Sequence, residues 1–276
     1  MPGVLRLARP LNCLMSAFGV GIGGLVAVGA GVWGEFAWPL FFAALAAALS
    51  TAGGNALNDL ADRETDKVNH PDRPLVTGAV SVSEATNFTV GAFVAAATFG
   101  LVSVACFVIV LVNAGVMYLY ESRLKSRGLS GNLVIAYLVG SIFLFAGFAV
   151  FRANLVPLLR TTVLAFLAFL TTLGREITKD IEDMAGDVDR RTLPQRIGAL
   201  PAGRVAAGAL LAGVALSVVP WVAGILAWPY GVVVLPADGM FIYAAFYSAA
   251  RPSLSQRVTK YAMVMALIAF LAGGLL

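Results

Sequence analysis

Two groups of acidic and amide side chains sit at the ends of two long apolar runs. The first is Asn58, Asp59, Asp62 and Asp66, with Arg73 just beyond it. The second is Asp180, Asp183 and Asp187, followed by Arg190 and Arg191. Ionised carboxylates beside a hydrocarbon stretch are costly, so their presence points to function. A donor set of carboxylates and amides without His or Cys suits a hard cation such as Mg²⁺. Arginine and lysine nearby indicate that the cation carries phosphate. The single histidine, His70, leaves no room for a His-based zinc site or a Ser-His-Asp triad.

Spacing sharpens this reading. Asn58, Asp62 and Asp66 recur at i, i+4 and i+8, and Asp180, Asp183 and Asp187 at i, i+3 and i+7. If each helix continues past the hydrocarbon edge, its three residues stack on one face. Acids at a helix C-terminus oppose the helix dipole, and a bound cation would remedy this. Asp59, Glu64, Glu176 and Glu182 are read as solvated acids of the helix ends. Arg73 lies in Pro71-Asp72-Arg73-Pro74, where proline on both sides stiffens the backbone. An arginine held this way suits bidentate phosphate binding. Tyr120, Lys125 and Arg127 close one apolar run, and Arg9-Pro10 opens another.

The elements that carry these residues follow from composition. The chain has 276 residues, of which 59% are hydrophobic and 12% charged. A soluble domain of this size could not cover its surface with so few charges, since about 25% is usual. The mean hydropathy of +0.87 agrees. The sequence predicts an all-α integral membrane protein, read as one domain over 1–276. A membrane-spanning helix needs about 20 mostly apolar residues. Nine such segments are expected: 11–33, 37–58, 84–103, 104–120, 130–150, 157–178, 202–222, 230–249 and 257–275. The run over 84–120 is too long for one span and must be cut near Ser103. The first run exceeds a signal h-region and shows no convincing cleavage site. Cys13 and Cys106 lie inside apolar runs and read as small core residues.

Charge then gives the orientation. With the N-terminus in the cytoplasm, the inside segments are 1–10, 59–83, 121–129, 179–201 and 250–257, with their helix ends. Of the 19 Lys and Arg residues only Arg152 and Arg160 fall elsewhere, and of the 15 Asp and Glu only Glu35 and Asp238. The positive-inside rule therefore places both acidic groups at the cytoplasmic face of the cell membrane and the C-terminus outside. The net charge of +4 reports this orientation, not nucleic-acid binding. The second and sixth segments carry the acids and run in the same direction. Each is followed by a basic loop with Pro and Gly, HPDRPLVTG and DRRTLPQRIG. Two four-helix repeats plus a ninth helix, bundled around a central cavity, explain this pattern.

These residues carry a family resemblance. Asn58-Asp59-x-x-Asp62-x-x-x-Asp66 followed by Asp72-Arg73-Pro74 resembles the first signature of the UbiA superfamily of intramembrane prenyltransferases. Asp183-x-x-x-Asp187 resembles the second signature, and Tyr120-x-x-x-x-Lys125 a third element. The segments 9–15, 128–134 and 175–183 resemble an archaeal branch that prenylates a lipid alcohol rather than an aromatic ring. The resemblance implies an isoprenyl diphosphate donor with Mg²⁺ as cofactor, in archaeal ether-lipid synthesis. Asn58, Asp62, Asp66, Asp180, Asp183 and Asp187 would hold the metal. Arg73, Lys125, Tyr120 and Arg9 would meet the diphosphate. In this branch a geranylgeranyl group passes to the free hydroxyl of geranylgeranylglyceryl phosphate, and Arg127, Lys179 and Arg175 are candidates for the acceptor phosphate.

Rival readings share part of this pattern. An aromatic polyprenyltransferase acting on 4-hydroxybenzoate or another quinone precursor would use the same metal site. A transporter or channel more often places ionisable residues near the midplane. The Asp-Gly…Ala-Arg…Gly…Asp signature of CDP-alcohol phosphotransferases is absent. Soluble prenyl synthases have Asp-rich motifs but not nine apolar segments.

Overall fold

The computed structural model describes residues 3–185 and 191–276, and among these the chain forms helices and no strand. Asp187 and Arg190 lie outside the described residues. The chain divides into two compact units, one of residues 1–21 and 36–122, the other of 22–35 and 123–276. In chain order the first half holds α1 (Gly3–Ala8), α2 (Pro10–Val28), α3 (Ala37–Ala61), α4 (Arg63–Asn69), α5 (Val82–Gly100) and α6 (Val104–Leu119). Helix α2 starts in the first unit and ends in the second. The second half holds α7 (Leu129–Ala149), α8 (Val156–Glu182), α9 (Leu193–Ile197), α10 (Ala199–Leu216), α11 (Val219–Val222), α12 (Trp228–Tyr247) and α13 (Pro252–Gly274).

Among the described residues, 8 helical segments are long and apolar enough to cross a bilayer. Helix α5 is a 19-residue helix outside that set, diluted by Thr86, Asn87 and Thr89. The 84–120 run is divided near Ser103, whose hydroxyl accepts a hydrogen bond from the Cys106 amide at 3.1 Å and caps α6. Large apolar side chains face outward along these helices. Val104 is 82% exposed and Phe246 81%. In water such surfaces would associate; in hydrocarbon they meet an equivalent solvent. The protein is a multi-pass membrane protein.

In the first unit α3 packs against α5, α1 and α6. A small core of Leu7, Ala56, Leu75, Val80 and Ala85, edged by Leu60 and Phe88, lies at the end of α3 that bears the acids. Leu7 stands two residues before Arg9, and Leu75 two residues after Arg73. Their burial anchors the backbone on which both arginines are mounted. The loop that follows is fixed at its far end by a capping box, in which Ser81 and Glu84 exchange hydrogen bonds of 2.8 and 3.2 Å.

In the second unit α8 packs on α7, α10 and α13, and α12 pairs with α13. Phe143, Leu164, Tyr230 and Phe270 form the buried centre. Helices α8 and α10 meet at Gly174, where a Cβ would stand 2.7 Å from Leu210 Cγ and 2.9 Å from the Ala206 carbonyl oxygen. Glycine permits the close approach, as is usual between helices in lipid. Asp238, which the charge pattern leaves off the cytoplasmic side, lies within α12 and not in a loop. It accepts a 2.7 Å hydrogen bond from the Ser217 hydroxyl.

Candidate active site

The end of α3 carries the first acidic group. Helix α3 stops at Ala61, and Asp62 caps it before α4 begins. Two backbone bonds bridge the join, Asp62 N–H to the Asn58 carbonyl at 2.9 Å and Asp66 N–H to the Asp62 carbonyl at 2.8 Å. The helical path therefore continues, but the expected single face of Asn58, Asp62 and Asp66 does not form. Two faces form in its place. Asn58 Nδ2 donates to Asp62 at 3.3 Å and to Glu121 Oε1 at 2.7 Å. Asp66 instead shares its side with Asp59. Helix geometry explains the correction: a step of seven residues misses registry by only about 20°, whereas a step of eight misses by about 80°.

Asp59 and Asp66 are 2% and 4% exposed. The reading of Asp59 as a solvated acid is thus overturned. Arg9 Nη2 and Arg73 Nη1 both donate to Asp59 Oδ1, the second at 3.0 Å, and Arg73 Nη1 also reaches Asp66 Oδ2. Burying an ionised carboxylate costs several kcal/mol, which only good ion pairing offsets, and removing one partner of such a pair costs about 3–5 kcal/mol. Arg9 adopts φ +52° between α1 and α2. Non-glycine residues seldom adopt this conformation, and it is held where surrounding structure demands it. Glu64, by contrast, is a solvated acid: the Lys67 ammonium, with Arg63, holds its carboxyl below the usual range. Tyr120 and Glu121 belong to a π-helical turn, Tyr120–Leu124, that extends α6. Such turns often mark functional positions.

The second group stands at the end of α8. Asn132, in the first turns of α7 and 5% exposed, donates to Asp180 Oδ2 at 2.9 Å. Asp183 is the exposed C-cap of α8. Glu182 accepts from Gln256 at 3.0 Å and Glu176 from Arg175 at 2.7 Å, so neither is simply solvated. Arg175 Nε is buried without a hydrogen-bond partner among the described residues. Lys179 and Arg127 are exposed, and Lys125 is partly covered. The loop bearing Lys125 and Arg127 is tied to the segment after α8 by the Arg191 amide on the Ser126 carbonyl, 3.2 Å. Gly128 turns this loop with φ +67°, which a side chain would resist.

Among the described residues no three acidic side chains stand close enough to hold a metal unaided. The Asn58–Asp62–Glu121 group nevertheless has the right chemistry. It offers two carboxylates and an amide whose oxygen is a 180° flip from its nitrogen. Mg²⁺ takes one or two carboxylates and completes its shell with water and substrate phosphate. Glu121 and Asn132 were not singled out in the sequence, and Asp59 was assigned the wrong role. Glu121 directly follows Tyr120 at the same helix end as the recognised residues. Asn132 lies within the quoted 128–134 segment. Asp59 had a legible signal: Asp59, Asp62 and Asp66 repeat the Asp180, Asp183, Asp187 spacing of three and four.

Residues 16–274 match the UbiA prenyltransferase family. The chain belongs to that family. UbiA proteins similar to it include one named digeranylgeranylglyceryl phosphate synthase from Methanopyrus kandleri, 40% identical, with 99% of each chain covered. A UbiA fold solved in work on digeranylgeranylglyceryl phosphate synthase in membranes aligns with a TM-score of 0.82 at 29% identity, covering 99% of this chain and 98% of that one. A UbiA homolog from Archaeoglobus fulgidus, described as bound to DMAPP and Mg²⁺, shares the fold at TM-score 0.64 and 17% identity, covering 97% and 98%.

Proposed function

We propose that this UbiA protein transfers a geranylgeranyl group from its diphosphate to the free hydroxyl of geranylgeranylglyceryl phosphate, with Mg²⁺ as cofactor. The observation that carries the reading is the group of Asn58, Asp62 and Glu121, which holds no His or Cys, beside the Arg9–Asp59–Arg73–Asp66 network. Full-length similarity to a relative named for that product supports the choice of acceptor.

The residues divide the work as follows. Asn58, Asp62 and Glu121 would hold metal at the first group and Asp180, Asp183 and Asp187 at the second, while Asp66, which the sequence also offered as a ligand, is taken up by Arg73. When bound, Mg²⁺ supplies Lewis acidity to the departing diphosphate. Arg73, Arg9, Lys125 and Tyr120 take up charge developing on the leaving oxygens. Arg127, Lys179 and Arg175 hold the acceptor phosphate, which carries close to two negative charges at neutral pH. The bond from the allylic carbon to the diphosphate oxygen breaks, the acceptor hydroxyl oxygen forms the new ether bond to that carbon, and the hydroxyl proton passes to the released diphosphate. Apolar helices keep water from the cation-like carbon.

The whole chain 1–276 acts as one prenyltransferase domain. Its nine helices cross the membrane as two four-helix repeats and a final helix around a central cavity, with α5 counted as a span. The N-terminus and both acidic groups face the cytoplasm, and the C-terminus lies outside. Incubation of the purified protein with geranylgeranyl diphosphate and the lipid acceptor tests the proposal. Diphosphate release is expected with Mg²⁺ and not with EDTA. Turnover that survives EDTA would overturn the metal assignment.

A further inference from the structure

We propose that Asp59 is a positioning residue that clips Arg9 and Arg73 into one clamp for the donor diphosphate. The inference rests on the prenyl diphosphate reading and adds a residue to it. Two guanidinium groups repel each other, and two chain segments so far apart in sequence would not bring theirs together unaided. Here both donate to a single oxygen, Asp59 Oδ1. That oxygen belongs to a side chain only 3% exposed, whereas the Arg9 and Arg73 side chains are 33% and 21% exposed. The carboxylate is hidden and the cations reach outward.

The hydrogen bonds to Asp59 and Asp66 use one nitrogen of each guanidinium, Nη2 of Arg9 and Nη1 of Arg73. The remaining N–H groups of each fork match two anionic oxygens on a planar approach. A simple staple for the 70–80 loop would need one arginine. Two on one oxygen leave donors in excess, and a diphosphate has acceptors in excess. Backbone features converge on the same arrangement. Arg9 takes the left-handed conformation that turns the chain from α1 into α2. Arg73 stands in a turn whose carbonyl accepts from the Val76 and Thr77 amides at 3.0 and 2.9 Å. Asp180, at the equivalent place in the second acidic triplet, is met by the neutral amide of Asn132.

The test is steady-state kinetics of full-length Asp59→Asn in detergent. Its KM for geranylgeranyl diphosphate is expected to rise roughly tenfold or more, the scale set by loss of a hydrogen bond to a charged group. Acceptor KM and the Mg²⁺ concentration for half-activation are expected to stay unchanged. The loss is also expected to be non-additive with Arg9→Gln, since the two act as one unit. An unchanged donor KM, losses that multiply, or a raised Mg²⁺ requirement would each overturn the proposal; the last would make Asp59 a metal ligand. If Asp59→Asn does not fold, Asp59→Glu keeps the charge and shifts it by one methylene. Inorganic pyrophosphate should then protect wild type against thermal unfolding more than Asp59→Glu, and equal protection would overturn the clamp. Wild type that consumes no prenyl diphosphate would refute the parent reading, while the pyrophosphate comparison would still decide on the clamp.

Discussion

Asn58, Asp62 and Glu121 meet through an amide that donates to both carboxylates, and this contact makes a direct prediction. Asp62→Ala should lower kcat by roughly 100-fold or more, because even groups that only support metal ligands commonly cost up to that much. Glu121→Gln should lower activity and raise the Mg²⁺ needed for half-activation. A Glu121→Gln enzyme with wild-type Mg²⁺ dependence would remove Glu121 from the metal set. Arg63 and Lys67, by contrast, serve a solvated acid, and Glu64→Gln should leave activity unchanged. Sequence spacing singled out Asn58, Asp62 and Asp66, because acids at a hydrocarbon edge are rare enough to be conspicuous, and flanking prolines singled out Arg73. It could not divide them between two faces. That division depends on the cap at Asp62 and on Arg9, which reaches Asp59 across 50 residues of sequence.

Helix α8 carries Arg175, Lys179, Asp180 and Asp183, so its seat on α10 controls where they stand. Gly174→Val would drive a side chain into Leu210 and the Ala206 carbonyl. Overpacking of this kind costs about 1–3 kcal/mol. A lower melting temperature in detergent and reduced turnover are expected, whereas Gly208→Ala, with open space at its Cβ, should change neither. Equal behaviour of the two variants would show that the α8–α10 approach does not position the site. The break between α5 and α6 was legible from length alone, since no bilayer accepts so long a span. The Gly174 contact was not, because hydropathy does not distinguish a helix neighbour from lipid.

At the scale of the molecule, the basic residues predict which side of the membrane holds the chemistry. Cysteines placed at Lys125 or Arg196 should label from the cytoplasmic side, and one at Arg152 from the outside. Labelling of Lys125→Cys and Arg152→Cys from one side would contradict the helix count. Asp238 is unsuited to that experiment, since Ser217 holds it within α12. The orientation proposed rests on loops having to carry their charge in water, whereas the proposed choice of acceptor rests on a few cations. One measurement reaches that identity directly: purified protein given geranylgeranyl diphosphate, Mg²⁺ and equal amounts of geranylgeranylglyceryl phosphate and 4-hydroxybenzoate, with products identified by mass. The account predicts that the doubly prenylated glyceryl phosphate predominates. Predominant prenylated hydroxybenzoate would contradict it.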